Sequence, residues 1–331
     1  MISRRRFLGT SLGAGATLAL TPLLDAARGG PEFVEGPEFL LAFQQASSKL
    51  IHRAIPSSGE MLPIIGLGRG SRPADPAVLK EVVRTLTDNG GRMLDTVHGG
   101  GQAQDAAGAT ANELGTQGQT FWTTPLSVSG DPAAVKAQIE ASFARLKVPK
   151  IDLVMVIAIG TSEISTNLAV LKEMKKEGRV RYIGVTDLLP PPFVNAPAAP
   201  NLATLMRNEP IDFVGFDYCV GDRRAEETLL PLAQERKIGV LAYFTFDRGR
   251  IFRRAGATPL PEWAAEFDAK SWAQFFIKYV ISHPAVTVAR TGTANPAHML
   301  ENIGGGIGRL PNEATRKRMA ALVDTLPPNP R

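Results

Sequence analysis

Short apolar runs recur eight times along the chain from residue 63 onwards, and amphipathic stretches lie between them. Such runs are typical of strands buried on both faces of a parallel sheet, and amphipathic stretches are typical of the helices that cover it. Repeated strand–helix units in one chain favour an α/β fold, the (β/α)8 barrel, in which the sheet closes on itself. The predicted strands are residues 63–67, 92–95, 120–124, 151–157, 182–186, 211–217, 239–244 and 286–289.

Helix-end residues indicate where the covering helices begin and end. Asp131-Pro132 combines an N-cap side chain with a first-turn proline, and Gly178 is the residue type that commonly follows a helix. We therefore expect one helix to begin at residue 132 and another to end before residue 178. Apolar side chains recur at helical spacing at Val135, Ile139, Phe143 and Leu146, at Leu168, Leu171 and Met174, and at Leu229, Leu232 and Ala233.

The composition fits one large domain. With 331 residues and 44% hydrophobic content, the chain is long enough to bury the core of a single barrel. The net charge of +5 is mild, and the basic residues are scattered without aromatic side chains between them, which argues against nucleic-acid binding. The basic run at residues 248–254 is interpreted as a solvated face, with docking of an acidic partner or an anionic lipid as the alternative.

Cysteine and histidine, which often carry redox and metal chemistry, are few. Cys219 is the only cysteine, so no intramolecular disulfide forms, and its apolar surroundings in the sequence predict a buried, unreactive thiol. The histidines are dispersed without the paired spacing of metal ligands, and no metal site is predicted. They are His52, His98, His283 and His298.

Residues 1–27 are interpreted as an export leader. Residues 3–8, Ser-Arg-Arg-Arg-Phe-Leu, resemble the twin-arginine motif, and eighteen uncharged residues follow at 7–24. As a helix this stretch is about 27 Å long, the lower limit for spanning a membrane, and the preceding arginines hold the N-terminus in the cytoplasm. Only a poor cleavage site follows Leu24. We predict a periplasmic protein anchored in the inner membrane by a retained leader, with removal of the leader as the alternative.

Residues 28–50 form a predicted linker with an unusual apolar content. Gly-Pro-Glu-Phe occurs twice, at residues 30–33 and 36–39, and its proline and glycine are typical of a linker. Phe33, Phe39 and Phe43 have no role in a solvated linker, because exposed apolar clusters usually cover a neighbour. Segment 31–43 is therefore expected to pack on the barrel or on another subunit.

Three stretches of residues 51–331 carry a family resemblance. They are Ile-Pro-Ser-Ser-Gly-Glu with Leu-Pro-Ile-Ile-Gly-Leu-Gly within residues 55–68, Gly-Arg-Val-Arg-Tyr-Ile-Gly-Val-Thr at 178–186, and His-Met-Leu-Glu-Asn at 298–302. Together they resemble the aldo-keto reductase superfamily. The resemblance implies a TIM barrel of that type, with the turn at 57–60 in a hairpin that plugs its bottom. The glycines at residues 66–70 are only a weak glycine-loop pattern, because this barrel does not use a Rossmann fingerprint.

The resemblance also implies a catalytic tetrad of aspartate, tyrosine, lysine and histidine, of which three members are replaced. Asp95 is retained, whereas Gly100 stands at the tyrosine position, Pro125 at the lysine position and Ile157 at the histidine position. General acid catalysis needs a proton donor within hydrogen-bond reach of the substrate, and none of the three replacements can donate. We expect Asp95 to be inactive, left without its lysine partner.

The cofactor positions implied by the resemblance are altered as well. Thr186-Asp187 stands where the family has Ser-Asn, and Gly215 where it has glutamine. Tyr243 either stacks on a nicotinamide or is a strand-end aromatic in the barrel mouth. We expect no cofactor, with NADP as the alternative. His298 falls at a position that is often arginine in the family, and Glu301-Asn302 match its adenine-binding end. The candidate cofactor-binding residues are Thr186, Asp187, Tyr243, Thr293, His298, Glu301 and Asn302.

Three functions remain open from the sequence. The leading hypothesis is a non-catalytic periplasmic accessory or structural subunit of a bacterial membrane complex, of the respiratory or photosynthetic type, joined to it by the anchor and segment 31–43. It predicts a large apolar contact surface and a filled barrel mouth. The alternative is a periplasmic NADP-dependent oxidoreductase with tightly bound cofactor, and the third is a protein that binds a small ligand in the mouth.

Overall fold

A computed structural model describes residues 49–69, 75–97, 100–158, 164–186 and 202–328. Eight parallel strands form a closed barrel in chain order, with the last strand hydrogen-bonded to the first, and a two-stranded antiparallel hairpin precedes them. The predicted (β/α)8 barrel is confirmed. The leader and segment 31–43 lie outside the described residues.

Each predicted barrel strand is present. The hairpin strands are β1 (His52–Ala54) and β2 (Met61–Pro63), and the barrel strands are β3 (Ile65–Arg69), β4 (Met93–Asp95), β5 (Phe121–Ser127), β6 (Ile151–Ile157), β7 (Val180–Thr186), β8 (Phe213–Asp217), β9 (Gly239–Tyr243) and β10 (Val286–Thr293). The helices are α1 (Pro76–Asp88), α2 (Gly100–Glu113), α3 (Pro132–Leu146), α4 (Ile164–Lys176), α5 (Leu202–Asn208), α6 (Leu229–Glu235), α7 (Arg250–Ala255), α8 (Trp272–Ile281), α9 (Pro296–Gly305) and α10 (Glu313–Thr325).

Three strands run further than their apolar patterns. β3, β5 and β10 were predicted to end at residues 67, 124 and 289, but pairing continues to Arg69 opposite Thr293 and to Ser127 opposite Ile157. The reason is that hydrogen bonds of a parallel ladder depend on the neighbouring strand and not on the polarity of the side chains. The extended ends bring polar residues to the C-terminal end of the barrel.

Local capping determines the ends of α3 and α4 as predicted. The Asp131 side chain accepts a hydrogen bond from the Ala133 amide at 2.9 Å, and Pro132 occupies the first turn. α4 ends at Lys176, and Gly178 follows it in the left-handed region with φ +74°. An N-cap contact of this kind stabilises a helix by about 1 kcal/mol.

The hairpin closes the N-terminal end of the barrel. Ile55 and Leu62 are fully buried and pack into the same interior cluster as Phe121. Glu60 forms ion pairs with Arg92 at 2.7 Å and with Arg181, which fixes the hairpin to the starts of β4 and β7. Since this end is sealed, a site has to lie at the opposite end, where barrels of this kind carry their functional residues.

Glycines facing the barrel interior make room for large side chains of the adjacent strand. A Cβ on Gly184 of β7 would overlap the sulfur of Met155 on β6. A Cβ on Gly239 of β9 would lie 2.7 Å from the ring of Phe213 on β8. Each large side chain therefore occupies the volume that its neighbour leaves empty, which is how a narrow barrel fills its interior without voids.

The outer surface of the described residues is polar. Met61 is the only large hydrophobic side chain described as exposed, at 50%. Within the described ranges, no helix combines the length and apolarity needed to cross a bilayer. Cys219 is buried, and burial raises the pKa of its thiol to about 11, which confirms the predicted unreactive cysteine.

Candidate functional site

Asp95 is the last residue of β4 and points into the C-terminal end of the barrel. Its side chain is wholly shielded from solvent, and one carboxylate oxygen accepts a hydrogen bond from the Val97 amide at 2.8 Å. The other oxygen lies 2.5 Å from Nε of Arg290, whose side chain is 5% exposed. The predicted isolated carboxylate therefore has a partner, which is a buried guanidinium.

Arg290 reaches Asp95 across an intervening strand. It lies on β10, which pairs with β3, and β3 in turn pairs with β4. Gly68 of β3 stands between them, and a Cβ there would overlap the Arg290 side chain. The glycine pattern that the sequence offered as a weak loop thus belongs to a strand, where Gly68 leaves a passage for the arginine.

Tyr243 completes the cluster from the other side. It ends β9 and is fully buried, with the Arg290 guanidinium 4.7 Å from the centre of its ring. A Cβ on Gly215 of β8 would lie 2.5 Å from this ring, so no glutamine fits at that position. Tyr243 is thus a buried aromatic at the end of its strand, and its stacking on a nicotinamide stays a prediction.

Burial dominates the electrostatics of the cluster. It raises the pKa of the Asp95 carboxyl, an effect that the charge of Arg290 and the Val97 amide oppose. The pKa of the Tyr243 phenol is raised well above 10, first by burial and then by the Asp95 charge, against the influence of Arg290. A phenol held in this way is a weaker proton donor than a solvated one.

The three replaced tetrad positions supply no proton donor. Gly100 begins α2 with φ +58° and faces open space, so a side chain there has no contact to orient it. Pro125 lies within β5 opposite Met155. Ile157 ends β6 and packs against the interior cluster. Asp95 and Arg290 are buried at this end of the barrel, while Asp217, the last residue of β8, is half-buried, and burial raises the pKa of its carboxyl.

The segment after β9 borders the mouth and is strained. Phe244, Asp247 and Arg248 all have positive φ, between 48° and 54°, which non-glycine residues seldom adopt. Arg248 holds it in place through an ion pair with Asp217 at 2.9 Å and by stacking 3.6 Å above the Phe244 ring. The strain therefore lies at the functional end of the barrel, where the surrounding contacts impose it.

The basic run 248–254 is used largely within the chain. Arg250 pairs with Asp247, and Arg254 donates to the carbonyl oxygens of Val323 and Leu326 near the end of α10. Arg248, Arg250 and Arg254 of this run thus form ion pairs or hydrogen bonds within the chain. They favour the solvated-face interpretation over a docking site for an acidic partner.

A second group of polar residues lies on β10 and α9. Thr293 ends β10 and hydrogen-bonds with the Asn295 amide at 3.0 Å, ahead of α9. His298 is half-buried in α9, and burial lowers the pKa of its imidazole to about 4. Glu301 and Asn302 are 2% and 1% exposed, and each has a side-chain oxygen without a hydrogen-bond partner among the described residues.

The predicted site residues therefore separate into two places. Asp95 and Tyr243 meet in the mouth, with Thr186 buried at the end of β7, whereas Thr293, His298, Glu301 and Asn302 share the β10–α9 unit. Asp187 and His98 lie outside the described residues. No three carboxylate, histidine or cysteine side chains of the described ranges are grouped as a metal site would require.

Arg290 is the member of this cluster that the sequence did not identify. No local pattern marks it, because its partner lies on a strand far away in the sequence. The available indications were a carboxylate without its lysine and the glycine at residue 68.

Comparison with known proteins is consistent with this architecture. The sequence model of the Aldo/keto reductase family matches residues 64–317. An aldo-keto reductase from Bacillus halodurans in its holo form is similar in structure, with a TM-score of 0.67 and 19% identity over 83% of this chain and 96% of the other. The aldo-keto reductase from Klebsiella pneumoniae in complex with NADPH gives 0.67 and 20%, over 86% and 97%.

A glycerol dehydrogenase from Gluconobacter oxydans is equally similar, with a TM-score of 0.67 and 20% identity over 85% of this chain and 97% of the other. At these identities the likeness shows the fold and nothing about activity, because one barrel scaffold carries many functions.

Proposed function

The chain belongs to the aldo/keto reductase family, and we propose that it is a non-catalytic member that serves as an exported accessory subunit of a bacterial membrane complex, of the respiratory or photosynthetic type. The absence of catalysis is inferred from one observation, the buried Asp95–Arg290 ion pair, covered by Tyr243, in the mouth of the barrel. The export and the partner rest on the leader and on segment 31–43 of the sequence.

Carbonyl reduction needs two things that this mouth does not offer. A proton donor has to reach the carbonyl oxygen, and space has to remain for the substrate beside the nicotinamide. Gly100, Pro125 and Ile157 cannot donate, and the guanidinium of Arg290 is held against Asp95. Loss of one proton donor typically costs on the order of 10²- to 10⁴-fold in rate.

Tyr243, Arg290 and Asp95 repeat the functional groups of the family's tyrosine, cation and aspartate, which is the composition that a relocated triad would have. In the family the cation lowers the pKa of the tyrosine. Here the guanidinium lies against the face of the ring, and the pKa of the phenol is raised by burial. The phenol is also fully buried. This geometry supports packing and not proton transfer.

Turnover measurements test the non-catalytic part directly. The full chain, incubated with NADPH and a panel of aldehydes and ketones, is expected to show no turnover. A rate near 1 s⁻¹, ordinary for an enzyme, would overturn the proposal. The variant Tyr243→Phe then identifies the donor: loss of that rate with an unchanged melting temperature would establish the relocated triad.

The accessory-subunit part requires a docking surface. Since Met61 is the only exposed large hydrophobic side chain of the described residues, the barrel offers little apolar area, and segment 31–43 is the proposed contact. Purification from solubilised membranes should recover the protein with its partners. The double variant Phe33→Ser/Phe39→Ser should release it while leaving the melting temperature of the barrel unchanged, and a lowered melting temperature with retained binding would place the segment in the barrel's own core.

A periplasmic NADP-dependent oxidoreductase is the second candidate, and one observation favours it. Glu301 and Asn302 keep buried oxygens without partners among the described residues, which suits the adenine end of the cofactor. The reduced cofactor NADPH, when bound, would supply a hydride. At the nicotinamide end, Gly215 stands in place of the family's glutamine and the Tyr243 ring occupies the space beside it, which argues against this candidate. Nucleotide released by denaturing the native protein would favour this candidate, whereas nucleotide-free protein argues against it.

A further inference from the structure

The side chain of Arg290 lies in the barrel mouth as a bound ligand would, in contact with groups from three other strands. Its Nε is 2.5 Å from a carboxylate oxygen of Asp95 on β4, and its guanidinium carbon is 4.7 Å from the centre of the Tyr243 ring on β9. On β3, a Cβ at Gly68 would overlap the arginine side chain. None of these groups belongs to β10, so the surroundings of the guanidinium do not depend on the strand that carries it.

A buried carboxylate beside an aromatic ring suits an organic cation. The carboxylate accepts charge-assisted hydrogen bonds from the N–H groups of a guanidinium, and the face of the ring attracts the same cation. Asp95 is 4% exposed and Tyr243 is fully buried, and the exclusion of water strengthens both interactions. A neutral carbonyl compound carries no charge for either group, so the chemistry of the mouth favours a cation.

The space in the mouth is fitted to the guanidinium as well. Gly68 lies within β3 and has no positive φ, so the backbone itself does not require a glycine there. A Cβ at this position would lie 2.3 Å from Nε and 2.6 Å from Cζ of Arg290, closer than such atoms approach in proteins. The glycine is therefore required by the guanidinium and not by the strand.

One acceptor beside this site is not used by the arginine. Strand register pairs Thr123 of β5 with Asp95, which puts both side chains on the same face of the sheet. The Thr123 hydroxyl is fully buried and its oxygen has no hydrogen-bond partner among the described residues. A guanidinium that is not attached to β10 can turn to donate to this oxygen as well as to Asp95.

We propose that the barrel mouth is a binding site for a guanidinium compound, and that the chain blocks this site with its own Arg290. The contact is autoinhibitory, because an external cation enters only where the arginine side chain is absent or has moved away. The inference goes beyond the proposed function, since neither export nor a partner subunit enters it. It also separates the mouth from the family's reaction, because the ligand is a cation and not a carbonyl compound.

Removing the arginine side chain opens the site for a test. Arg290→Ala deletes the atoms of ethylguanidinium, so this ion is the probe, and ethylurea is its uncharged counterpart of the same shape. In scanning calorimetry of the full chain, near-saturating ethylguanidinium should raise the melting temperature of the variant by about 4 °C relative to sodium chloride. Ethylurea should give no rise, and the wild type, whose site is filled, should not respond. No rise in the variant, or an equal rise with ethylurea or in the wild type, would each overturn the proposal.

Further variants locate the site. In the Arg290→Ala background, Asp95→Asn removes the charge and Gly68→Ala fills the space, and each should abolish the rise. Gly118→Ala is the matched control, because its Cβ meets no atom within 4 Å, and the rise should remain. A rise that persists after Asp95→Asn or Gly68→Ala would refute the assignment.

A folding measurement covers the case in which Arg290→Ala does not fold alone. Its circular dichroism spectrum is then recorded with ethylguanidinium and with ethylurea. Recovery of the native spectrum with the cation only is expected, because the ion replaces the missing partner of Asp95. Failure to recover the spectrum, or recovery with both compounds, would contradict the proposal.

Discussion

At the barrel mouth, Asp95 meets Arg290 inside the protein, whereas on α9 the oxygens of Glu301 and Asn302 meet no partner among the described residues. Both pairs are almost completely buried. The mouth pairs its buried charges within the protein, while α9 keeps two buried oxygens without a partner among the described residues. Within one fold, the two places therefore differ in how their buried polar groups are satisfied, because each depends on side chains of different strands and helices.

The largest expected effect comes from breaking the mouth pair. Arg290→Met leaves the Asp95 carboxylate buried without a cation, which should lower the free energy of unfolding by about 3–5 kcal/mol and the melting temperature by about 10 °C. Urea unfolding measures the first and calorimetry the second.

The control removes both charges together. Asp95→Leu/Arg290→Met replaces the pair by apolar side chains and should return stability to within about 1 kcal/mol of the wild type. A single variant as stable as the wild type would show that the pair does not close the mouth.

On α9, the expected effect depends on pH. The pKa of Glu301 is raised from 4.5 to about 8, so between these values the folded state holds more protons than the unfolded state and stability falls as pH rises. Glu301→Gln cannot ionise. The free energy of unfolding of this variant should therefore exceed that of the wild type by near zero at pH 4 and by roughly 3–5 kcal/mol at pH 9. Urea unfolding across this range provides the measurement.

Glu177→Gln serves as the comparison, because it removes a glutamate that is exposed. Its pH profile should follow that of the wild type. If the difference in free energy of unfolding between Glu301→Gln and the wild type is the same at pH 4 and pH 9, the Glu301 carboxyl is not buried as described.

A smaller effect tests how tightly the mouth is filled. Gly215→Ala places a Cβ 2.5 Å from the buried Tyr243 ring and should cost about 1–3 kcal/mol of stability through overpacking. Gly118→Ala meets no atom within 4 Å and should change stability by less than about 0.5 kcal/mol. If thermal unfolding gives equal values for the two variants, the mouth has room that the structure does not show.

The smallest expected effect comes from a buried hydroxyl that has no hydrogen-bond partner among the described residues. Thr123 is fully buried, and its hydroxyl oxygen has no partner in the described part of the chain. Thr123→Val preserves the shape and removes the unsatisfied group, so stability should rise by about 1 kcal/mol. Equilibrium unfolding in urea checks it. A loss of stability would indicate that the hydroxyl has a partner. It would also weaken the argument that the buried oxygens of Glu301 and Asn302 are unsatisfied.

Much of the fold followed from local patterns. The eight apolar runs, the Asp131 N-cap and Gly178 each appear where they were predicted, because strand burial, helix starts and helix stops depend on a few neighbouring residues. The hairpin turn at residues 57–60 also lies where the resemblance placed it. The ends of β3, β5 and β10 were missed, since pairing with the neighbouring strand extends them past their predicted limits.

For the site, the sequence determined which chemistry is missing: Gly100, Pro125 and Ile157 lack donors in any fold. Only the tertiary structure decided what replaced it. Closure of the barrel places β10 beside β3 and within reach of β4, so Arg290 can cross Gly68 to Asp95. A contact of this kind depends on strand order and register around the whole ring. Local composition carries no record of it, which is why the sequence marked Asp95 as a candidate but did not indicate its partner.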